Sequence, residues 1–226
     1  MDIRIDPSIA ALGVKDVVVG IAKNVNPHAA FSEAFLKRQK QAEEWALSVS
    51  LDEVAEHPLT QGYMNLMKSV GRSVKKNVPS VLALVRNVQH RGSMPQVNSI
   101  VDIYNVESLL SMLAIGGHDL DKIDEPLIFK VSGIEDTFYP IESSSKHVAP
   151  TDFLYCDAKG IVSWMGVRDG EAYKLDENTT NVLFTIAGNA EATTEVRLEA
   201  LKHIEEDLVQ CMPGVEFTAQ VVRLEA

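Results

Sequence analysis

The sequence contains only two cysteines, Cys156 and Cys211, far apart and with no CxxC pair. That leaves no disulfide framework and no thiolate cluster, and reads as two reduced core thiols in a cytoplasmic protein. The six histidines, at 28, 57, 90, 118, 147 and 203, have no ligand spacing with either cysteine, so no metal is expected. No GxSxG elbow, GxxxxGK[ST] loop, GxGxxG turn or HExxH helix occurs, which leaves neither a marked nucleophile nor a cofactor to expect. No apolar run approaches the ~20 residues that span a bilayer, so no membrane association is expected. Repeats at solenoid periods and low-complexity segments are also missing.

A further absence is local. Residues 61–100 hold no Asp or Glu, and six basic residues: Lys68, Arg72, Lys75, Lys76, Arg86 and Arg91. The whole chain carries a net charge of −11, which weighs against a general nucleic-acid binder. A basic stretch on an acidic protein is either a docking face for an anion, such as a tRNA backbone, or a solvated helix face.

What is present is the composition of one large domain or two small ones: 226 residues, 46% apolar and 23% charged. Residues 1–6 and 14–22 read as strands, and the β-branched run Val17-Val18-Val19 predicts a strand buried on both faces. Asn26-Pro27 reads as a helix start, followed by apolar residues at near-helical spacing from Phe31 to Val49. A second helical region breaks at His57-Pro58. After Pro79 a third helix stops at Gly92. Strands follow at 127–131, 137–141, 153–156, 161–165 and 182–186, with a turn at Asp157-Ala158-Lys159-Gly160. A closing helix spans 191–211 and a last strand alternates from Val215 to Val221. Mixed strands and layered helices predict an α/β sandwich. No Ser/Gly/Pro-rich linker separates residues 1–76, which read as an extension packed on the same core as residues 77–226.

The densest chemistry lies in residues 94–123. Asn98, Asp102 and Asn105 stand at i, i+4 and i+7, a spacing that puts them on one helix face. Such a face either lines a pocket or satisfies neighbouring backbone. His118 follows Gly116-Gly117, where the backbone permits close approach of a ligand. It belongs either to a pocket or to a loop packed on the sheet. A second constellation is Met165-Gly166-Val167-Arg168-Asp169-Gly170-Glu171, ahead of Thr179-x-Asn181-Val182. Arg168 there suits either bidentate pairing with a carboxylate or phosphate, or a structural salt bridge.

Pro95-x-x-Asn98-x-x-Val101-Asp102-x-x-Asn105, followed by His118-x-x-Asp121, resembles the B3/B4 domain of the phenylalanyl-tRNA synthetase beta subunit, which edits mischarged tRNA. The resemblance runs from about Pro79 to Gly188, more loosely to Cys211, and 226 residues are too few for a synthetase, so a free-standing domain is expected. It implies a three-layer sandwich of two sheets and a helical layer. It also implies His118 in an editing pocket and Glu171 as the residue that reads the substrate's side chain. Asn98 and Arg168 would be further substrate contacts, and Lys68, Arg72, Lys75 and Lys76 would face tRNA. The segment from Met165 to Gly170 is one residue shorter than the synthetase form, and Arg168-Asp169 replaces glycine or apolar residues. The implied activity is trans-editing hydrolysis of mischarged aminoacyl-tRNA; the rival from another class is a non-catalytic module for an amino acid or similar small ligand.

Overall fold

A computed structural model describes residues 1–224. Five strands form one sheet in the order β1 (Ile3–Ile5), β4 (Leu127–Val131), β7 (Phe153–Cys156), β8 (Ile161–Trp164) and β9 (Arg168–Asp169). Four form another: β11 (Glu216–Arg223), β2 (Asp16–Lys23), β10 (Asn181–Ala187) and β3 (Gly116–Asp119). A ribbon of β5 (Asp136–Phe138) and β6 (Lys146–Val148) stands apart. The helices are α1 (Glu33–Ser48), α2 (Leu51–Glu56), α3 (Pro58–Ser69), α4 (Ser80–Arg91), α5 (Ser99–Ser111) and α6 (Thr194–Cys211). Among the described residues no helix is long and apolar enough to cross a membrane.

The period-two alternation of strands builds the layers. On β2, Val18 and Ala22 enter the core shared with the helices, while Val17 and Val19 enter the core between the sheets. On β10, Val182, Phe184 and Ile186 face the helices and Leu183 and Ala187 face the other sheet. The four-stranded sheet is therefore the middle layer, covered on one side by α1, α4, α5 and α6 and on the other by the five-stranded sheet. Val17, Val18 and Val19 are fully buried, as their β-branched run requires. Burial of each stabilises by about 1.5–3 kcal/mol. The outer face of the five-stranded sheet presents Leu154, Ile161 and Trp164 to Phe138 and Val148 of the ribbon.

Residues 1–76 supply strands to both sheets: β1 runs parallel to β4, and β2 lies between β10 and β11. The helix break at His57-Pro58 is present, with Pro58 at the first position of α3. Gly92 closes α4 in the left-handed conformation, at φ 75°. The helix start expected at Asn26-Pro27 is not there. The Asn26 side chain instead accepts from the His28 N–H at 3.0 Å in an Asx turn. The helix begins at Glu33, capped by Ser32, whose Oγ accepts from Phe35 N–H at 3.1 Å.

Candidate functional site

A cavity of about 410 Å³ opens where the edges of the two sheets part. Its walls come from α3, the segment leading into α4, α5, and the β8–β9 turn. Leu66, Met67, Val78, Pro79, Leu84 and Met165 make the walls largely apolar, while Tyr155, Ser163 and Thr185 give it a hydroxyl-lined floor.

Sheet register assembles that floor. Gly116 lies opposite Thr185, and His118 opposite Leu183, so the side chains of Thr185, His118 and Leu183 point into the space between the sheets and Gly116 leaves its place there empty. Tyr155 reaches across from β7. Its hydroxyl hydrogen-bonds Thr185 Oγ1 at 2.9 Å and pairs with His118 Nε2. Its ring stacks on Phe129 with centroids 4.5 Å apart. Ser163 on β8 donates to Asp169 Oδ1 at 2.8 Å, and that oxygen lies 3.9 Å from His118 Nε2.

Gly116 decides access. A β-carbon there would sit 2.9 Å from Thr185 Oγ1, 3.2 Å from the Tyr155 hydroxyl and 3.3 Å from His118 Nε2. Without one, the hydroxyls are open to the cavity. Gly117 serves packing instead: its β-carbon would meet Tyr104 Cε1 at 2.8 Å.

His118 is fully buried. Burial lowers its pKa, against the pull of the Asp169 carboxylate, and keeps the ring neutral. Among the described residues its Nδ1 has no partner. Leaving a buried polar atom unpaired costs about 1–3 kcal/mol, a cost characteristic of functional positions. Burial also pushes the Tyr155 phenol well up, so it stays a neutral hydroxyl.

The structure separates several residues that the sequence grouped. Arg168 lines the cavity, exposed, with Nη1 donating to the Ile141 carbonyl at 3.0 Å. His118 sits behind Tyr155 rather than on the cavity surface. Glu171 does not line the cavity. Backbone bonds from Gly170 N–H to Val162 O (2.8 Å) and from Glu171 N–H to Tyr139 O (2.9 Å) turn the chain away. The Glu171 carboxylate then accepts from Glu142 N–H at 3.0 Å and pairs with Lys174. Asn98 is not on the helix face but is the N-cap of α5, its Oδ1 accepting from Ile100 and Val101 N–H at 3.1 and 2.9 Å. Asp102 is buried and accepts from Val97 N–H at 3.0 Å. Of the three, only Asn105 lines the cavity.

The basic stretch divides likewise. Arg72 grips Asp152 through Nε and Nη2, and its guanidinium lies 4.6 Å over the Trp164 ring, so it is part of the internal framework. Lys68 is exposed and donates to Asn65 Oδ1 at 3.2 Å. Lys75 and Lys76 are exposed just ahead of Asn77 at the cavity rim. In the sequence Tyr155, Thr185 and Ser163 read as ordinary strand residues. Their one signal was a hydroxyl inside an otherwise apolar run.

Residues 62–218 match the B3/4 domain family. A 90-residue stretch is 28% identical to the phenylalanine–tRNA ligase beta subunit of Mycoplasma genitalium, covering 40% of this chain and 11% of that protein. A 112-residue stretch is 29% identical to the same subunit of Bradyrhizobium diazoefficiens, covering 50% and 14% respectively. The chain thus spans only a small part of the length of these relatives. An N-terminal fragment of the phenylalanyl-tRNA synthetase beta subunit from Pyrococcus horikoshii superposes with a TM-score of 0.49 at 13% identity, covering 96% of this chain and 50% of that one. With the family match running from α3 to β11, over more than half of its residues, the chain belongs to the B3/4 domain family.

Proposed function

We propose that this B3/4 domain hydrolyses the ester of mischarged aminoacyl-tRNA, acting as a trans-editing deacylase. The observation that carries the reading is the cavity itself: apolar walls that hold an amino-acid side chain, ending on hydroxyls that Gly116 leaves uncovered.

An aminoacyl ester is already activated, so holding the ester and a water in line supplies much of the rate. Water attacks the ester carbonyl carbon, the bond to the ribose oxygen breaks, and a free amino acid and a tRNA hydroxyl result. In this reading the hydroxyls of Tyr155 and Thr185 orient the water or the carbonyl oxygen. His118 acts through Tyr155: its neutral ring fixes the direction of the phenol hydrogen bond, which makes it a positioning residue. Lys68, Lys75 and Lys76 are the candidate tRNA contacts; Arg72 is committed to Asp152.

The test is deacylation over a panel of mischarged tRNAs. The expected result is hydrolysis of at least one above its spontaneous rate, and loss of that rate in Thr185→Val. A panel left intact, with a free amino acid raising the melting temperature, would replace the reading with a non-catalytic binding module.

A further inference from the structure

Among the described residues lining the cavity, Arg168 and Asp169 alone carry charge. They are consecutive on the two-residue edge strand β9, paired with Trp164 and Ser163. They do not pair with each other, because neighbouring side chains on a strand diverge. Asp169 has one oxygen occupied, Oδ1 accepting from Ser163 Oγ at 2.8 Å. Among the described residues no donor reaches Oδ2, and the side chain is 29% exposed. His118, whose Nε2 lies 3.9 Å from Oδ1, is held neutral by burial and does not cancel the charge. Arg168 uses one N–H on the Ile141 carbonyl, and among the described residues its other donors meet no acceptor. The cavity therefore offers, among the described residues, a carboxylate oxygen that no donor occupies, while Arg168, opposite Trp164 and bonded to the Ile141 carbonyl, projects from the other side of the strand.

We infer that Asp169 binds the α-ammonium group of an amino acid, so that the cavity selects esters of amino acids with a free α-amine and rejects N-acylated ones. The inference rests on the proposed deacylase reading for the ester alone; the recognition of the ammonium stands on the cavity. An ammonium offers three donors, for Asp169 Oδ2 and for the hydroxyl oxygens of the floor. N-acylation removes the charge and leaves the carboxylate facing an amide without its counter-ion, the kind of mismatch that binding sites reject strongly. An ester-linked growing peptide is attached through an N-acylated residue, so the same carboxylate would spare it.

The test begins with the wild-type protein and needs no variant. Thermal shifts are measured with a panel of amino-acid amides, which keep the ammonium and lack the carboxylate, and with their N-acetyl counterparts. At least one amide should stabilise the protein, with its N-acetyl form weaker on the order of tenfold or more. Asp169→Asn, which keeps the Ser163 contact, should erase that preference. Equal binding of the two forms, no response to any amide, or an unchanged preference in Asp169→Asn would overturn the inference. The two readings also fail separately. Equal hydrolysis of aminoacyl- and N-acetylaminoacyl-tRNA refutes the ammonium selection and leaves the deacylase standing. An ammonium preference without hydrolysis refutes the deacylase and leaves the selection.

Discussion

Gly116 and Tyr155 stand so close that a β-carbon on the glycine would lie 3.2 Å from the phenol oxygen, between it and the cavity. Gly116→Ala should therefore block the floor. We expect kcat/KM for deacylation to fall by about tenfold or more, equivalent to about 1.4 kcal/mol of transition-state binding. The closest neighbour, Thr185 Oγ1, must shift and give up its bond to the Tyr155 hydroxyl, so the melting temperature should fall by about 2–4 °C. Full activity in this variant would mean that the substrate never reaches the hydroxyls.

Tyr155→Phe keeps the stacking on Phe129 and removes one oxygen that serves both Thr185 and His118. Chemical denaturation should register a loss of about 1–3 kcal/mol. Because His118 is tied through that oxygen, adding His118→Gln should cost less in the Tyr155→Phe background than alone, with a coupling of about 0.5–3 kcal/mol. Strict additivity would disconnect the two side chains.

A pH effect is expected away from the cavity. Asp207 and Glu107 are both buried and share Arg38. Burial pushes the Asp207 carboxyl up to about 6, although Arg38 opposes the shift. A group raised in the folded state contributes stability that is fully present below its unfolded pKa, about 3.9 for Asp, and is lost as pH rises through the folded value. Relative to Asp207→Asn, the wild type should gain up to about 3 kcal/mol as pH falls from 7 to 4. Urea titrations of both proteins across that range measure it, and a difference independent of pH would refute the assignment.

The layers of the fold were readable wherever a local rule sufficed: the β-branched run at Val17–Val19, the proline break at Pro58, the glycine stop at Gly92. Asn26-Pro27 misled because Asn closes a turn as readily as it caps a helix, and only the chain beyond it decides between the two. In the site, Gly116 announced itself as a place of close approach. Tyr155 and Thr185 did not, because what makes them a site is the register of β3 on β10 and the reach of β7 from the other sheet. Arg72 read as one of six cations until Asp152, far along the chain, claimed it. Glu171 fell on the family's spacing, yet the direction of its side chain is set by backbone bonds to Val162 and Tyr139.

That placement of Glu171 gives an expectation of its own. Exposed, and paired among the described residues with Lys174 and the Glu142 N–H, it stands outside the cavity lining. Glu171→Ala should leave the order of preference among mischarged tRNAs unchanged. A reordered panel would require this segment to move when substrate binds.

Lys75→Glu with Lys76→Glu tests the basic rim. If both face phosphates, tRNA affinity should fall and the slope of log K against log salt should flatten by roughly one to two. The same slope in variant and wild type would return both lysines to solvent.

The middle sheet has one more consequence. β2 forms early in the chain, but both of its neighbours, β10 and β11, come from residues 181–223. During synthesis its hydrogen-bonding edges and its valines wait unpaired until residues 181–223 have emerged. Such late, long-range pairing makes folding slow and leaves a sticky strand exposed meanwhile. Shortened chains that lack β11 should accumulate as aggregates rather than as smaller folded units, and the yield of native protein should depend on how fast the last strand is delivered.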